Sequence, residues 1–179
     1  MTPLVRTALA GVLAAAGITA VVLAVAPHRV AGPADSGTEY HLVLVSGRDD
    51  HGLLATPQVV LRDRPGDGAP VGRVPDGTLA RVVATRGTWL EVRTAEGPSV
   101  DGWVDDFYLR GVVHLVGPAP TCAVTLDGRS LPAGEQAVVL DLRGGRARVR
   151  VARTGRTGWV DRASVQELAP SHGCDGTPD

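Results

Sequence analysis

Hydrophobic positions follow two regimes along the chain. From Thr7 to Ala26 the run TALAGVLAAAGITAVVLAVA carries no charged side chain and shows no polar face. As a helix these roughly 20 residues would span about 30 Å, the thickness of a bilayer's hydrocarbon core. Arg6 precedes the run and Arg29 follows it, so the flanking charge gives little orientation. Pro27 comes directly after the small-x-small site Ala24-Val25-Ala26, where it disfavours signal-peptidase cleavage. The run therefore reads as an uncleaved signal anchor at residues 7–26, with secretion after cleavage as the alternative. Residues 1–6 read as a cytoplasmic amino terminus and residues 27–39 as a linker. Beyond this point helical periodicity disappears. Ala147, Val149 and Val151 alternate with Arg148 and Arg150, the period-two pattern of a strand with one face inward and one in water. Val82-Val83-Ala84 and Ala137-Val138-Val139-Leu140 are short apolar runs entered from Pro-x-Gly turns, and Tyr40 to Val45 reads as a further strand.

The chain also resembles itself. Val74-Pro75-Asp76-Gly77 matches Leu131-Pro132-Ala133-Gly134, Arg86-Gly87 matches Arg143-Gly144, and Val92-Arg93 matches Val149-Arg150, all at an offset of 57 residues. Gly102-Trp103-Val104-Asp105 then matches Gly158-Trp159-Val160-Asp161 at an offset of 56. A repeat of this length, built of turns and short alternating runs, predicts a small β-domain duplicated in tandem. Five or six short strands per copy suit a small barrel, which hides its own edges.

The order of elements in the first copy resembles a bacterial SH3-like domain. It runs Leu61-Arg62, a Pro/Gly loop, Val71-Gly72-x-Val74-Pro75-x-Gly77, Gly87-x-Trp89-x-x-Val92, Gly102-Trp103-Val104 and Tyr108-Leu109. The second copy keeps the Pro-x-Gly turn, the Arg-Gly turn, the valine strand and Gly-Trp-Val. It carries Arg146 in place of Trp89 and lacks the Tyr-Leu pair. The resemblance implies a binding module, with cell-wall peptidoglycan as the ligand such domains commonly serve. It also disfavours polyproline recognition, because Thr88 stands where the groove tryptophan of eukaryotic SH3 domains is usual.

Composition sharpens this picture. There are 23 Gly and 13 Pro in 179 residues, a load that suits turn-rich β-structure. Lysine is absent, so all 18 positive side chains are arginines, and the net charge is −1. That balance argues against a general nucleic-acid binder, as does the absence of aromatics interleaved with the basic run. The arginines are uneven. Residues 114–169 hold eight against five acids, whereas residues 40–113 hold eight against ten. Arg146, Arg148 and Arg150 should share one solvent face, suited to carboxylates or phosphates of an anionic wall polymer, to lipid headgroups near the anchor, or to an ordinary solvated surface. In the first copy Trp89, Phe107 and Tyr108 form a candidate stacking surface for peptide or sugar, set against plain packing. Trp103 and Trp159 are expected to pack at the barrel ends.

Cys122 and Cys174 are the only cysteines, and in an exported chain an even pair reads as a disulfide that ties the tail to the second copy. Ser171-His172-Gly173-Cys174 is similar to the nucleophile motif of L,D-transpeptidases, but Asp175 replaces the arginine that follows in that family. Asp49-Asp50-His51 and Asp101, Asp105 and Asp106 lack the spacing of an oxygen-ligand cation loop. No catalytic residue, metal ligand or cofactor is assigned. The expected protein is all-β apart from one transmembrane helix. Two tandem small SH3-like barrels, residues 40–113 with an added N-terminal strand and residues 114–169, precede a tail at 170–179. Its expected role is non-catalytic: a membrane-anchored extracytoplasmic module that binds peptidoglycan or another anionic envelope polymer. The alternative is a protein-interaction module of an envelope complex that uses the aromatic surface of the first barrel.

Overall fold

The computed structural model describes residues 42–170 and Cys174. The expected membrane span, the linker and most of the tail lie outside these residues. Among the described residues no helix is long and apolar enough to cross a membrane. The fold is all-β, with curled antiparallel sheets and two short 3-10 turns.

The first sheet holds β1 (Val43–Val45), β2 (Gln58–Arg62), β3 (Pro70–Pro75), β4 (Leu79–Arg86), β5 (Trp89–Thr94), β6 (Asp101–Asp105) and β7 (Leu109–Arg110). Their spatial order is β3-β2-β6-β5-β4-β1-β7. The second group holds β8 (Val113–Leu115), β9 (Val124–Leu126), β10 (Arg129–Leu131), β11 (Glu135–Arg143), β12 (Arg146–Val151), β13 (Thr157–Asp161) and β14 (Val165–Gln166). Five of these form a sheet in the order β13-β12-β11-β8-β14, while β9 and β10 pair only with each other. Alternation decides the facing. In β12, Ala147, Val149 and Val151 are buried while Arg146 and Arg148 are exposed.

Two long strands make the sheets curl. β4 is bulged between Val82 and Ala84, and β11 between Val139 and Asp141. A bulge bends its strand and raises the local twist, so one half can pair on each side of the fold. β4 accordingly pairs with both β5 and β1, and β11 with both β12 and β8. β1 lies between β4 and β7, the place β8 takes between β11 and β14. The groups differ at the β9–β10 hairpin, which turns tightly through Asp127 (φ 46°) and Gly128 (φ 78°). Two consecutive positive φ values fit the primed turns that match strand twist. In the first sheet Arg62 pairs with Trp103 and joins β2 to β6. The shorter hairpin makes no such ladder, and instead the Asp127 carboxylate accepts the Trp159 N–H at 3.3 Å.

Two apolar cores lie side by side, and β1 feeds both. Val43 and Val45 belong to the core with Val59, Leu61, Val74, Val92 and Val104. Leu42 and Leu44, on the other face, join Leu79 in the core of β8 to β14. Leu42 also bridges Val139 across the junction. Polar contacts complete this seam. Glu96 accepts from Arg162 Nε at 2.9 and 3.1 Å and from the Leu79 N–H at 2.8 Å, while Arg162 Nη2 donates to the Gly77 carbonyl. Glu167 accepts from Ser46 Oγ at 2.7 Å and Arg110 Nε at 3.0 Å, with Arg48 Nε 3.5 Å from its second oxygen.

Gly102 marks a close approach in β6. A Cβ there would sit 2.9 Å from Leu61 Cβ, from the Arg62 carbonyl oxygen and from Val71 Cγ2. Overpacking of this kind costs about 1–3 kcal/mol. Gly102→Ala should lower the urea midpoint correspondingly without changing the slope of the transition, as read by tryptophan fluorescence.

Candidate functional site

Each sheet presents an outer face built by the same alternation. On the first, β5 turns Leu90 and Val92 inward and Trp89, Glu91 and Arg93 outward. β6 buries Gly102 and Val104 and sets Asp101, Trp103 and Asp105 outward. The pairing aligns these residues in rows: Arg86, Trp89 and Asp105; then Ala84, Glu91 and Trp103; then Arg81, Arg93 and Asp101. The corresponding rows on the second face are Arg143, Arg146 and Asp161; Asp141, Arg148 and Trp159; and Val138, Arg150 and Thr157.

The indoles therefore differ from expectation. Trp103 and Trp159 are half-buried on the outer faces and belong to neither core cluster. In Gly-Trp-Val the glycine and valine occupy the inward positions, so the period of two leaves the tryptophan outside. The same alternation is visible in the sequence of both Gly-Trp-Val runs.

Phe107 and Tyr108 separate. Both sit in the 3-10 turn Asp106–Tyr108 with rings edge-to-face, centroids 5.1 Å apart. Tyr108 is half-buried and packs against the first core, whereas Phe107 is 44% exposed. The turn is held beside the start of β5. The Asp106 N–H donates to the Thr88 carbonyl at 2.7 Å, and Asp105 accepts from the Phe107 N–H at 3.1 Å and from Thr88 Oγ1 at 3.3 Å. Phe107 thus stands next to the Trp89 end of the strand. In the second group the matching turn, Arg162–Ser164, carries no aromatic side chain.

Charge distinguishes the two faces at their centres, where Glu91 on one corresponds to Arg148 on the other. Arg93 binds Asp101 through Nε at 2.9 Å and Nη2 at 3.0 Å. That hydrogen bonding, with the carboxylate's charge behind it, raises the Arg93 guanidinium pKa above its ordinary value. On the second face Arg143 Nε lies 2.9 Å from Asp141, and Arg146 Nη2 donates to the Trp159 carbonyl at 3.0 Å. Arg148 and Arg150 have no hydrogen-bonding or ion-pair partner among the described residues. Arg148 pairs directly opposite the half-buried Trp159, and Arg150 opposite Thr157. The strand brings all three predicted arginines to one surface, with Arg146 alone of the three bonded through its guanidinium among the described residues.

The other candidates are absorbed locally. Asp49 Oδ1 accepts the N–H groups of His51 at 3.0 Å and Leu53 at 2.9 Å, closing a small hairpin that Arg48 Nη1 ties to the Gly52 carbonyl. This hairpin holds Leu53 and Leu54 out at 66% and 51% exposure, a feature with no periodic signature in the sequence. Among the described residues no cluster of three or more His, Cys, Asp or Glu could hold a metal. A shallow hollow of about 500 Å³ is lined by Pro132 to Gln136, Ala152 and Arg153, with Arg153 Nε donating to Glu135 at 3.1 Å. Cys174 is bonded to Cys122, with Cα atoms 4.9 Å apart, so its sulfur is not a free nucleophile.

Residues 55–111, which include β2 to β7, match the bacterial SH3 domain family model. No curated protein matches the chain. Among solved structures it is similar to NlpC2 from Trichomonas vaginalis, at 14% identity over 74% of this chain and 50% of that one, with a TM-score of 0.35. It is also similar to NlpC1 from the same organism, at 14% identity over 72% and 46%, with a TM-score of 0.34. An NlpC/P60 family protein from Bacillus cereus matches at 12% identity over 70% and 55%, with a TM-score of 0.30. The chain spans about half the length of these structures.

Proposed function

We propose, with the bacterial SH3 domain at residues 55–111 as premise, that this chain is a non-catalytic wall-binding module. In this reading β8 to β14 are a reduced second copy of the same barrel. Residues 7–26 anchor the protein in the membrane with both barrels outside. The ligand is peptidoglycan, engaged through its acidic groups. The observation that carries the reading is the pair of uncommitted guanidiniums, Arg148 and Arg150, beside the half-buried Trp159 on one strand face. Guanidinium forks match carboxylate and phosphate oxygens geometrically, and an adjacent indole offers an apolar platform for a sugar or peptide face.

The test is co-sedimentation of the full chain, in detergent micelles, with purified sacculi across a salt series. Retention should fall as salt rises, and Arg148→Ala with Arg150→Ala should weaken it by about tenfold or more at low salt. Sacculi stripped of covalently attached phosphate polymers separate the two anion sources. Retention lost with the phosphate polymers would move the ligand from peptidoglycan to those polymers. No retention at any salt would sink wall binding.

A protein-interaction role is the second reading. It is favoured by the hydrogen-bonded hairpin that holds Leu53 and Leu54 in solvent, since apolar side chains fixed outward in a rigid turn suit a docking contact.

A further inference from the structure

We infer that the two outer faces form one bipartite site, with an aromatic subsite at Trp89 and Phe107 and a cationic subsite at Arg148 and Arg150. Its ligand is a single anionic polysaccharide chain long enough to occupy both. This rests on the wall-binding reading above and adds to it a requirement for ligand length.

The seam between the sheets supplies the first argument. Two barrels on a flexible tether would sample many relative positions and bind as independent modules. Here β1 gives alternate side chains to both cores, Leu42 bridges to Val139, and Glu96 and Glu167 are each gripped from the opposite unit. Leu79 of β4 sits at zero exposure within the core of β8 to β14. Motion of one unit against the other would empty that core and strip partners from partly buried carboxylates. The spacing between the faces is therefore fixed.

The second argument is the path between the subsites. Trp89 opens β5, which runs about 17 Å to Thr94 at a strand's ordinary rise. The loop that follows carries Glu96, which holds Arg162. The Arg162 N–H donates to the Gly145 carbonyl at 3.0 Å, in the turn from which Arg146 starts β12. The far end of the first face thus adjoins the near end of the second, and Trp89 and Arg148 belong to one head-to-tail series of elements. The two ends of this series, with Glu91 and the neutralised Arg93–Asp101 pair between them, offer chemistry complementary to one kind of polymer. Sugar rings have apolar faces for the indole and phenyl groups, and acidic substituents further along meet the free guanidiniums. Two weak contacts on one rigid body reinforce each other only when a ligand spans both.

The experiment compares soluble fragments released from peptidoglycan by a muramidase: a single disaccharide-peptide and chains of several units. Calorimetry on the full chain in micelles should give an affinity for the long chains at least about tenfold above that for the single unit. Phe107→Ala should bring long-chain affinity down toward the single-unit value, and so should Arg148→Ala with Arg150→Ala. Combining them should cost less than the product of the separate losses. Trp89→Ala serves as a second aromatic variant, with an unchanged melting temperature as the control for folding. Equal affinity for short and long chains, or losses that multiply independently, would overturn the bipartite site while leaving wall binding intact. Failure of every fragment and of intact sacculi to bind would instead overturn the wall-binding reading itself.

Discussion

Replacing Cys122 and Cys174 by serine should lower the melting temperature by about 10 °C, one of the two largest losses expected for this chain. The bond joins residues 52 positions apart, and closing a loop of that length removes chain entropy worth about 4 kcal/mol from the unfolded state. The native side of the bond is well seated. Cys122 lies in the β8–β9 loop, where its N–H donates to the Pro118 carbonyl at 3.0 Å and its carbonyl accepts from the Gly117 N–H at 2.7 Å. Gly117 is needed for that geometry, because a Cβ there would come within 2.0 Å of the Ala123 carbonyl oxygen. Differential scanning calorimetry with and without reductant makes the check. The wild type should fall to the melting temperature of the double serine variant on reduction, and that variant should not respond. A reduced wild type that melts where the oxidised one does would refute the entropic account.

Leu79→Ala is expected to destabilise by about 2–5 kcal/mol, the range for truncating a fully buried leucine. Its informative property is where the damage spreads. Leu79 is on β4 of the first sheet, yet its side chain is buried among Leu115, Val139 and Val151 of the second group. A cavity there should loosen both halves. Hydrogen exchange should report lower protection in β5 and β12 together, and calorimetry should show one transition moved down. If protection fell only in β12 while β5 kept its wild-type value, the two halves would be folding separately.

The strands were legible because the physics that orders them is local. Alternating burial in Ala147, Val149 and Val151 appears directly in the residue pattern, and the same pattern correctly set Arg146, Arg148 and Arg150 on one surface. The cysteine pairing was also legible, since a chain with two cysteines allows each one intramolecular partner. The outward placement of Trp103 and Trp159 could have been read from the same alternation. What could not be read is the seam. Glu96 and Arg162 are 66 residues apart, and Ser46 and Glu167 are 121 apart. None lies in a periodic run. Their partnership depends on how two bulged sheets are set against each other, a tertiary fact without a local signature. The Leu53–Leu54 hairpin escaped for a related reason, because its order comes from Asp49 and Arg48 side chains bonding to backbone.

β1 has a mechanical consequence. It is a three-residue strand buried on both faces, clamped in plane between β4 and β7 and above and below by two cores. For a chain tethered through residues 7–26, as proposed, tension from the membrane side would reach the described residues at Leu42 and run along this strand. Its hydrogen bonds lie across the direction of pull, so they are loaded together in shear instead of being peeled one by one. Drag on a tethered module would then load both short ladders of β1 at once instead of unzipping them in turn.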